Sequence, residues 1–435
     1  MLRVLHTADW HLGARLSERS RADEHAAFLD WLVDRVTEYH VDVLLIAGDV
    51  YDQANPPADA RALFYGFAAR LYKATGCTTL VIAGNHDSPA MLEAPRPILE
   101  TLGVRVVGTT GDPEAMVLPL RNRQDRIEAW AMLVPFLRPG DLPGAQSGSS
   151  LEERQAHLAA ATREIYEEVV EVALDQRQDD HALIATGHLF AQGASLSDSE
   201  RGIQVGHRVG LSTAVFPECI DYVALGHLHR PQDVSGVSPV VYPGAPVAMS
   251  FAESAHHQGV ELLTFEHGAL TERRTIPVPR FRQLLQLAGT PDEVTGAVHA
   301  LLRGETPQLG LFPGLDDDTP AEGPRAAHPG TEAPLTPGWA GVTLKVNDED
   351  QAEVIDALRK DLSSYGYELV QLVRQRQQVD PEPTAVAAAS PALTELTPVE
   401  VFRRLHVERI GSEPDEALEA AFLELQQAVE AEEVA

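Results

Sequence analysis

Cysteine is almost missing from this chain of 435 residues. The two present, Cys77 and Cys219, cannot build a disulfide framework, and neither has a second thiol nearby in sequence. A reducing cytoplasm is therefore the expected compartment. Lysine is as scarce. Only Lys73, Lys345 and Lys360 occur, so almost all of the 34 basic residues are arginine. None of the three lysines lies in a Gly-x-x-x-x-Gly phosphate loop, which excludes a nucleotide site of that type. Positive charge is outweighed throughout, for a formal net charge of −31. Such a balance argues against a protein that grips DNA through a general basic surface; a nucleic-acid role would need metal charge, local arginines or a basic partner. No charged-then-apolar leader opens the sequence, and no apolar run reaches the roughly 18 residues of a membrane helix. The expectation is a soluble, non-exported, cytoplasmic protein. Its length is ample for roughly two or three domains with a sizeable core.

What is present is a repeated pattern of short apolar runs that end on polar residues. The run Val43-Leu44-Leu45-Ile46-Ala47 stops at Gly48 and is followed by Asp49, Val50, Tyr51 and Asp52. A short, fully apolar segment reads as a buried strand of a parallel sheet, and a carboxylate at its carboxyl end sits where open α/β sheets bind ligands. Four other runs end the same way. They give Asp9-x-His11, Gly84-Asn85-His86-Asp87, Gly187-His188 and Gly226-His227-x-His229.

Residues 1–270 alternate strand-like and helix-like segments. Helices are expected over about 20–39, 57–74 and 151–174. Strands are expected at Val4–Thr7, 79–83, 181–186, 222–225, 240–242 and 260–265. This is a layered α/β domain, strands stacked between helices. The pattern changes near Pro277. A strand is expected at 280–287, a helix at 291–302, then a strand, helix and strand at 340–346, 349–362 and 367–374. Residues 304–338 are dominated by Pro, Gly, Ala and acid and read as a disordered insertion. The expected organisation is a layered α/β domain over 1–272, a smaller α+β domain over 273–380, a linker over 381–396 and a helical tail over 397–435. In the tail, Thr397-Pro398-Val399-Glu400 has the form of a helix start, and Leu418, Phe422, Leu425 and Val429 recur at helical spacing. That apolar stripe needs a core or a partner to bury it.

Each polar motif has a plain alternative. A lone His after a strand is usually a hydrogen-bonded loop residue, and a lone Gly-Asp is usually a turn. Five together, several with glycine where the chain must turn and come close to a ligand, point to a binuclear metal site. Mixed Asp, His and Asn ligands suit Mn²⁺, Fe²⁺ or Zn²⁺, and the absence of Cys argues against a structural zinc site.

The five motifs resemble those of the calcineurin-type metallophosphoesterase superfamily. Their order, the Asp49-x-x-Asp52 form and the run Tyr242-Pro243-Gly244-Ala245-Pro246 are similar to the bacterial nuclease subunits that work with an SbcC-type, SMC-like ATPase. The catalytic resemblance covers about residues 1–265, and the domain over 273–380 resembles that family's capping domain in position. The long insertion departs from the compact family pattern. The resemblance implies one metal held by Asp9, His11, Asp49 and His229, and a second held by Asp49, Asn85, His188 and His227. Two Mn²⁺ per chain are implied, with Mg²⁺, Fe²⁺ or Zn²⁺ as alternatives. It implies that His86 is the non-ligand acid, oriented by Asp87 or Asp52; capping of the loop before the helix at 57 is the alternative for Asp52. The implied activity is DNA phosphodiester cleavage, as an exonuclease on double-stranded ends and an endonuclease on single strands or hairpins, in repair, recombination and replication. The implied assembly is a heterotetramer with the ATPase, with a homodimer through the nuclease domain and the tail as the ATPase contact, through Phe402, Leu405, Leu418, Phe422 and Leu425.

Two weaker signals remain. Arg273, Arg274, Arg280 and Arg282 cluster at the domain junction and read as a phosphate-contacting strip, with a solvated strand face as the alternative. Gln308-Leu309-Gly310-Leu311-Phe312 resembles the short peptide by which bacterial proteins dock on the replication sliding clamp; packing back on the second domain is the alternative. Two competing functions fit the same sequence: a small-molecule or phosphoprotein phosphodiesterase or phosphatase with the same binuclear site, and a non-catalytic scaffold for the ATPase. The second domain, the arginines and the tail weigh against the first, and the complete ligand set with His86 weighs against the second.

Overall fold

The computed structural model describes residues 1–138, 151–195, 210–302, 335–346 and 352–376, with isolated positions between 402 and 422. The sliding-clamp-like segment, the linker at 381–396, Leu405 and Leu425 lie outside the described residues. The chain divides into two compact units, Met1–Gln377 and Gln378–Ala435.

The first half of the larger unit runs β1 (Leu2–Thr7), a small hairpin β2 (Arg15–Leu16) and β3 (Arg19–Ser20), α1 (Ala22–Glu38), β4 (Val43–Ala47), α2 (Ala58–Thr75) and β5 (Thr78–Ile82). Between this strand and the next long helix lie α3 (Pro89–Glu93), α4 (Arg96–Thr101), β6 (Val104–Val107), α5 (Pro113–Met116), β7 (Val117–Arg121) and β8 (Ile127–Met132). None of these six is announced by the motif pattern, although Val104-Arg105-Val106-Val107 alternates as an edge strand should. Then come α6 (Leu151–Gln176), β9 (Ala182–His188), β10 (Tyr222–Gly226), β11 (Gln232–Val234), β12 (Val240–Tyr242), β13 (Gly259–Glu266) and β14 (Ala269–Pro277).

These strands make two six-stranded mixed sheets, ordered β14-β13-β1-β4-β5-β6 and β11-β12-β10-β9-β8-β7. In the first, β1, β4, β5 and β6 pair in parallel and β13 and β14 join antiparallel on one side; in the second, β12, β10, β9 and β8 pair in parallel between antiparallel edges β11 and β7. Period-two alternation assigns the side chains of the first sheet. Val43, Leu45, Leu80 and Ile82 face the second sheet and pack with Leu183, Ala185 and Leu225. Leu44, Ile46 and Val81 face the other way and pack under Phe28, Leu32, Phe64 and Phe67 of α1 and α2. Strands buried on both faces have no polar side to offer, hence the continuous apolar runs in the sequence. Each fully buried Leu or Ile contributes about 1.5–3 kcal/mol. Tyr166, Val169 and Ala173 cover the outer face of the second sheet with α6.

The smaller sheet follows within the same unit: β15 (Arg282–Gly289), α7 (Pro291–Leu302), β16 (Leu335–Val346), α8 (Ala352–Ser364) and β17 (Tyr367–Arg376). Its order is β15-β16-β17, all parallel, with its own core of Leu287, Val298, Val342, Leu344, Ile355 and Leu358. The boundary expected after residue 272 falls inside β14, because that strand completes the first sheet by pairing along the whole of β13. Strand β16 also begins at Leu335, inside the stretch 304–338 expected to be disordered. In the C-terminal unit, Phe402 and Phe422 stack with ring centroids 4.3 Å apart, and Arg403 pairs with Glu419. Among the described residues no helix is long and apolar enough to cross a membrane.

Candidate metal centre

Parallel strands deliver their carboxyl ends to one edge. The neighbours β1, β4 and β5 bring the loops that carry Asp9 and His11, Asp49, and Asn85 to Asp87. Facing them, β9 and β10 bring His188, His227 and His229. The first two loops stay zipped beyond the strands. Asp9 N–H donates to Gly48 O (3.1 Å), His11 N–H to Asp49 O (3.0 Å) and Leu12 N–H to Val50 O (2.9 Å). Asp9, His11, Asp49 and His227 all have positive φ, at 54°, 47°, 48° and 102°. Such backbone costs about 1–3 kcal/mol per residue and persists where the surroundings enforce it, most often at functional sites. Glycine is required beside them. A β-carbon on Gly48 would collide with His188 Nδ1, and one on Gly84 with the Asp49 carboxylate.

The side chains converge. Asp9, His11 and His229 present ligand atoms all within 4.8 Å of one another, as do Asp9, Asp49 and His188. His188 Nε2 lies 3.2 Å from Asp49 Oδ2, and His11 Nε2 lies 3.7 Å from the same oxygen. Asn85 Oδ1 is 3.0 Å from His188 Nε2 and 2.9 Å from His227 Nδ1. Asp9 Oδ1 accepts from His227 N–H, and Asp49 Oδ1 from His86 N–H, both at 2.9 Å. All seven expected ligands are thus brought together, with Asp9 as well as Asp49 placed between the two halves.

Burial sets the electrostatics. It pushes Asp9 up to about 7. It lowers His11, and it lowers His227 to about 3 with the charge of His188 adding to the effect. Burial also works against charge on His188, but the carboxylate and hydrogen bond of Asp49 overcome it and raise the imidazole to about 9. Asp49 is held well below the ordinary carboxylate range: burial opposes its charge, and His188, followed by His11 and His86, outweighs that. The two form a buried ion pair. Yet Asp9 Oδ2 and His11 Nε2 are buried with no hydrogen-bond partner among the described residues. Orphaned buried acceptors cost about 1–3 kcal/mol each. A pair of divalent cations coordinated by this hard and borderline Asp, His and Asn set would satisfy them, so the residues fit the group the motifs imply.

The outer contacts differ from the sequence expectation. His86 Nδ1 lies 2.7 Å from the main-chain carbonyl of Asp52, while the Asp52 carboxylate stands 3.4 Å from His11 Nδ1. Asp52 therefore orients two histidines, one through backbone and one through side chain. Asp87 does not touch the His86 ring. Its buried carboxylate accepts from the N–H groups of Gly84 (2.9 Å), Val50 (3.1 Å) and Tyr51 (2.9 Å), which locks the β4 and β5 loops together. His229 Nδ1 is 3.3 Å from Glu253 Oε1. Glu253 has no motif around it and no sequence signal; only folding brings it to a histidine 24 residues away.

The four junction arginines do not form a strip. Arg273 pairs with Asp233 (2.5 Å) and Glu261 (2.9 Å), and Arg274 lies over the Tyr39 ring at 4.9 Å. Arg280 donates to Ser254 O. Arg282 is only 6% exposed, too buried to meet a phosphate; it lies 3.5 Å from Glu24 and over Trp339 at 4.5 Å.

Comparison with known proteins agrees with this geometry. The calcineurin-like phosphoesterase family model matches residues 2–231. The SbcD subunit of the nuclease SbcCD from Escherichia coli K12 is 34% identical over 97% of this chain and 97% of its own. Its namesake from Rhodobacter capsulatus is 36% identical over 92% and 93%, and that from Bacillus subtilis 29% identical over 99% and 100%. With the family model covering more than half of the sequence and relatives aligned almost end to end, the chain belongs to the calcineurin-like phosphoesterases and, among them, to the SbcD family of nuclease subunits.

Proposed function

We propose that this chain cleaves DNA phosphodiesters with two divalent cations, as the nuclease subunit of a complex with an SbcC-type ATPase. The observation that carries the reading is the convergence of unpartnered buried polar atoms, Asp9 Oδ2 and His11 Nε2, beside the Asp49–His188 pair. Asp9, His11, Asp49 and His229 would hold one ion, and Asp49, Asn85, His188 and His227 the other. The ions would supply acidified water and neutralise charge that builds on the phosphate oxygens. The chain's own residues do the rest. Asp49 Oδ2 stands between His11 and His188, which places one carboxylate oxygen against both halves of the site. His86 Nδ1–H donates to Asp52 O, which orients the ring; in the imidazolium form its Nε2–H would pass a proton to the departing 3′ oxygen and leave the neutral Nδ1–H tautomer behind. Asp87 holds the loops that carry Asp49 and His86 at a fixed separation.

Mn²⁺ is the proposed metal, the double-stranded end and the single-stranded or hairpin strand are the proposed substrates, and DNA repair is the proposed setting; the names of the relatives support the nuclease reading and a place as one subunit of an SbcCD complex. The tail over 397–435 is the proposed ATPase contact. Linear duplex DNA with Mn²⁺ or with chelator is the test. Cleavage that needs metal, and that disappears in His86→Ala with both ions still bound, is the expected result. Hydrolysis of a phosphomonoester or a phosphopeptide by wild-type chain that leaves DNA intact, alone and with the ATPase, would replace this reading with a phosphatase.

A further inference from the structure

Glu253 sits in a short 3-10 turn, Ala252–Ala255, and is only 2% exposed. One carboxylate oxygen faces His229 Nδ1 at 3.3 Å; the other accepts from Met249 N–H at 2.7 Å. The same loop is the seat of the small β15-β16-β17 sheet. Ala248 and Phe251 form an apolar cluster with Leu16, Leu284 and Trp339. At Gly341 in β16 a β-carbon would stand 2.7 Å from the Phe251 ring, so the ring rests directly on the strand backbone.

A buried ionic chain ties the same loop to the sheet a second time. Arg21 donates to Ala248 O and pairs with both oxygens of Glu24, at 3.1 and 2.6 Å. Glu24 in turn lies 3.5 Å from Arg282 Nε of β15. Arg21 and Glu24 are 1% and 3% exposed. Charges withdrawn from water in this way are tolerable only with every partner in place. Removing the sheet would take away Arg282 and strip the cover from Arg21, Glu24 and Phe251.

We propose that Glu253 is a positioning residue that fixes the ring of His229 and couples the seating of the small sheet to the metal position shared by Asp9, His11 and His229. This rests on the reading of His229 as a ligand. A carboxylate on the far nitrogen of a metal-binding histidine sets its tautomer and orientation. Here that carboxylate is anchored to a loop whose other face is gripped by the sheet. Coupling of this kind is reciprocal: filling the metal position should tighten the sheet, and loosening the sheet should weaken the metal.

The test is Mn²⁺ titration of the full chain by calorimetry, with hydrogen exchange over 335–346 as a second readout. Wild type is expected to bind two ions and to slow exchange in β16 when loaded. Glu253→Ala should weaken one ion by about 10–100-fold and leave the other within about twofold. Glu253→Gln, which keeps one acceptor oxygen, should lose less. Gly341→Val touches no ligand; by displacing Phe251 it should weaken that same ion by about fivefold or more. If it fails to fold by far-UV circular dichroism, Glu24→Gln takes its place with the same expectation. Wild-type affinity for both ions in Glu253→Ala would overturn the positioning role, and in the folded sheet variant it would overturn the coupling. A wild-type chain that binds no ion would instead remove the metal-site reading beneath both.

Discussion

Two groups of charged residues stand out in this sequence, and the fold treats them in opposite ways. The Asp, His and Asn residues at five strand ends are drawn from more than 200 positions into one buried cluster, on backbone with positive φ and with acceptors left unpaired. The arginines at 273, 274, 280 and 282 are close in sequence, yet each is occupied by a carboxylate, a carbonyl or an aromatic ring. Density along the chain is therefore a poor guide to a site. What marks one is polarity that the protein gathers and does not itself satisfy.

The largest expected effect breaks the first group. Asp49→Ala removes the oxygen that faces both His11 and His188, and should abolish both two-ion binding in calorimetry and metal-dependent cleavage. His86→Ala should retain both ions and slow cleavage by about 10²–10⁴-fold, the usual contribution of a positioned acid. Single-turnover rates at saturating metal separate the two variants.

Next comes Asp87→Ala, which strands three buried N–H groups without touching a ligand. At about 1–3 kcal/mol for each unsatisfied group, stability should fall by several kcal/mol in urea unfolding. A loss confined to activity would move Asp87 into the reaction itself.

His6 and His25 sharpen the comparison from another side, since they are buried histidines outside the ligand set. Burial lowers each to about 3 from 6.5. Both are neutral when folded, so their stabilisation is whole above pH 6.5 and is lost as pH falls toward 3. At pH 5 the loss should be about 2 kcal/mol for each, from 1.36 kcal/mol per pH unit. Urea midpoints at pH 7 and 5 measure it; His6→Gln should flatten the slope.

The smallest effect belongs to the second group. Arg273→Gln with Arg274→Gln should leave cleavage within about twofold and the salt dependence of DNA binding unchanged, because neither guanidinium is held ready for phosphate. A steeper fall would restore the strip as a DNA contact.

Legibility followed the range of the cause. The strand at 43–47 and the helix at 291–302 were readable because their pattern is local: both-face burial for one, a proline start and apolar periodicity for the other. The region of β6 to β8 was not, since short edge strands and one-turn helices hold too few residues for a period to show. Chain composition and strand ends by themselves determined the α/β class and singled out the ten Asp, His and Asn residues of the five motifs, because parallel strands must deliver their carboxyl ends to a common edge; that seven of the ten are ligands is what the family resemblance implies. Only the tertiary structure decided that Asp87 locks loops, that Asp52 serves His86 through its carbonyl, that Glu253 meets His229 and that Arg282 is buried. Those assignments are contacts between segments far apart in sequence, made by directional hydrogen bonds whose geometry no local pattern encodes.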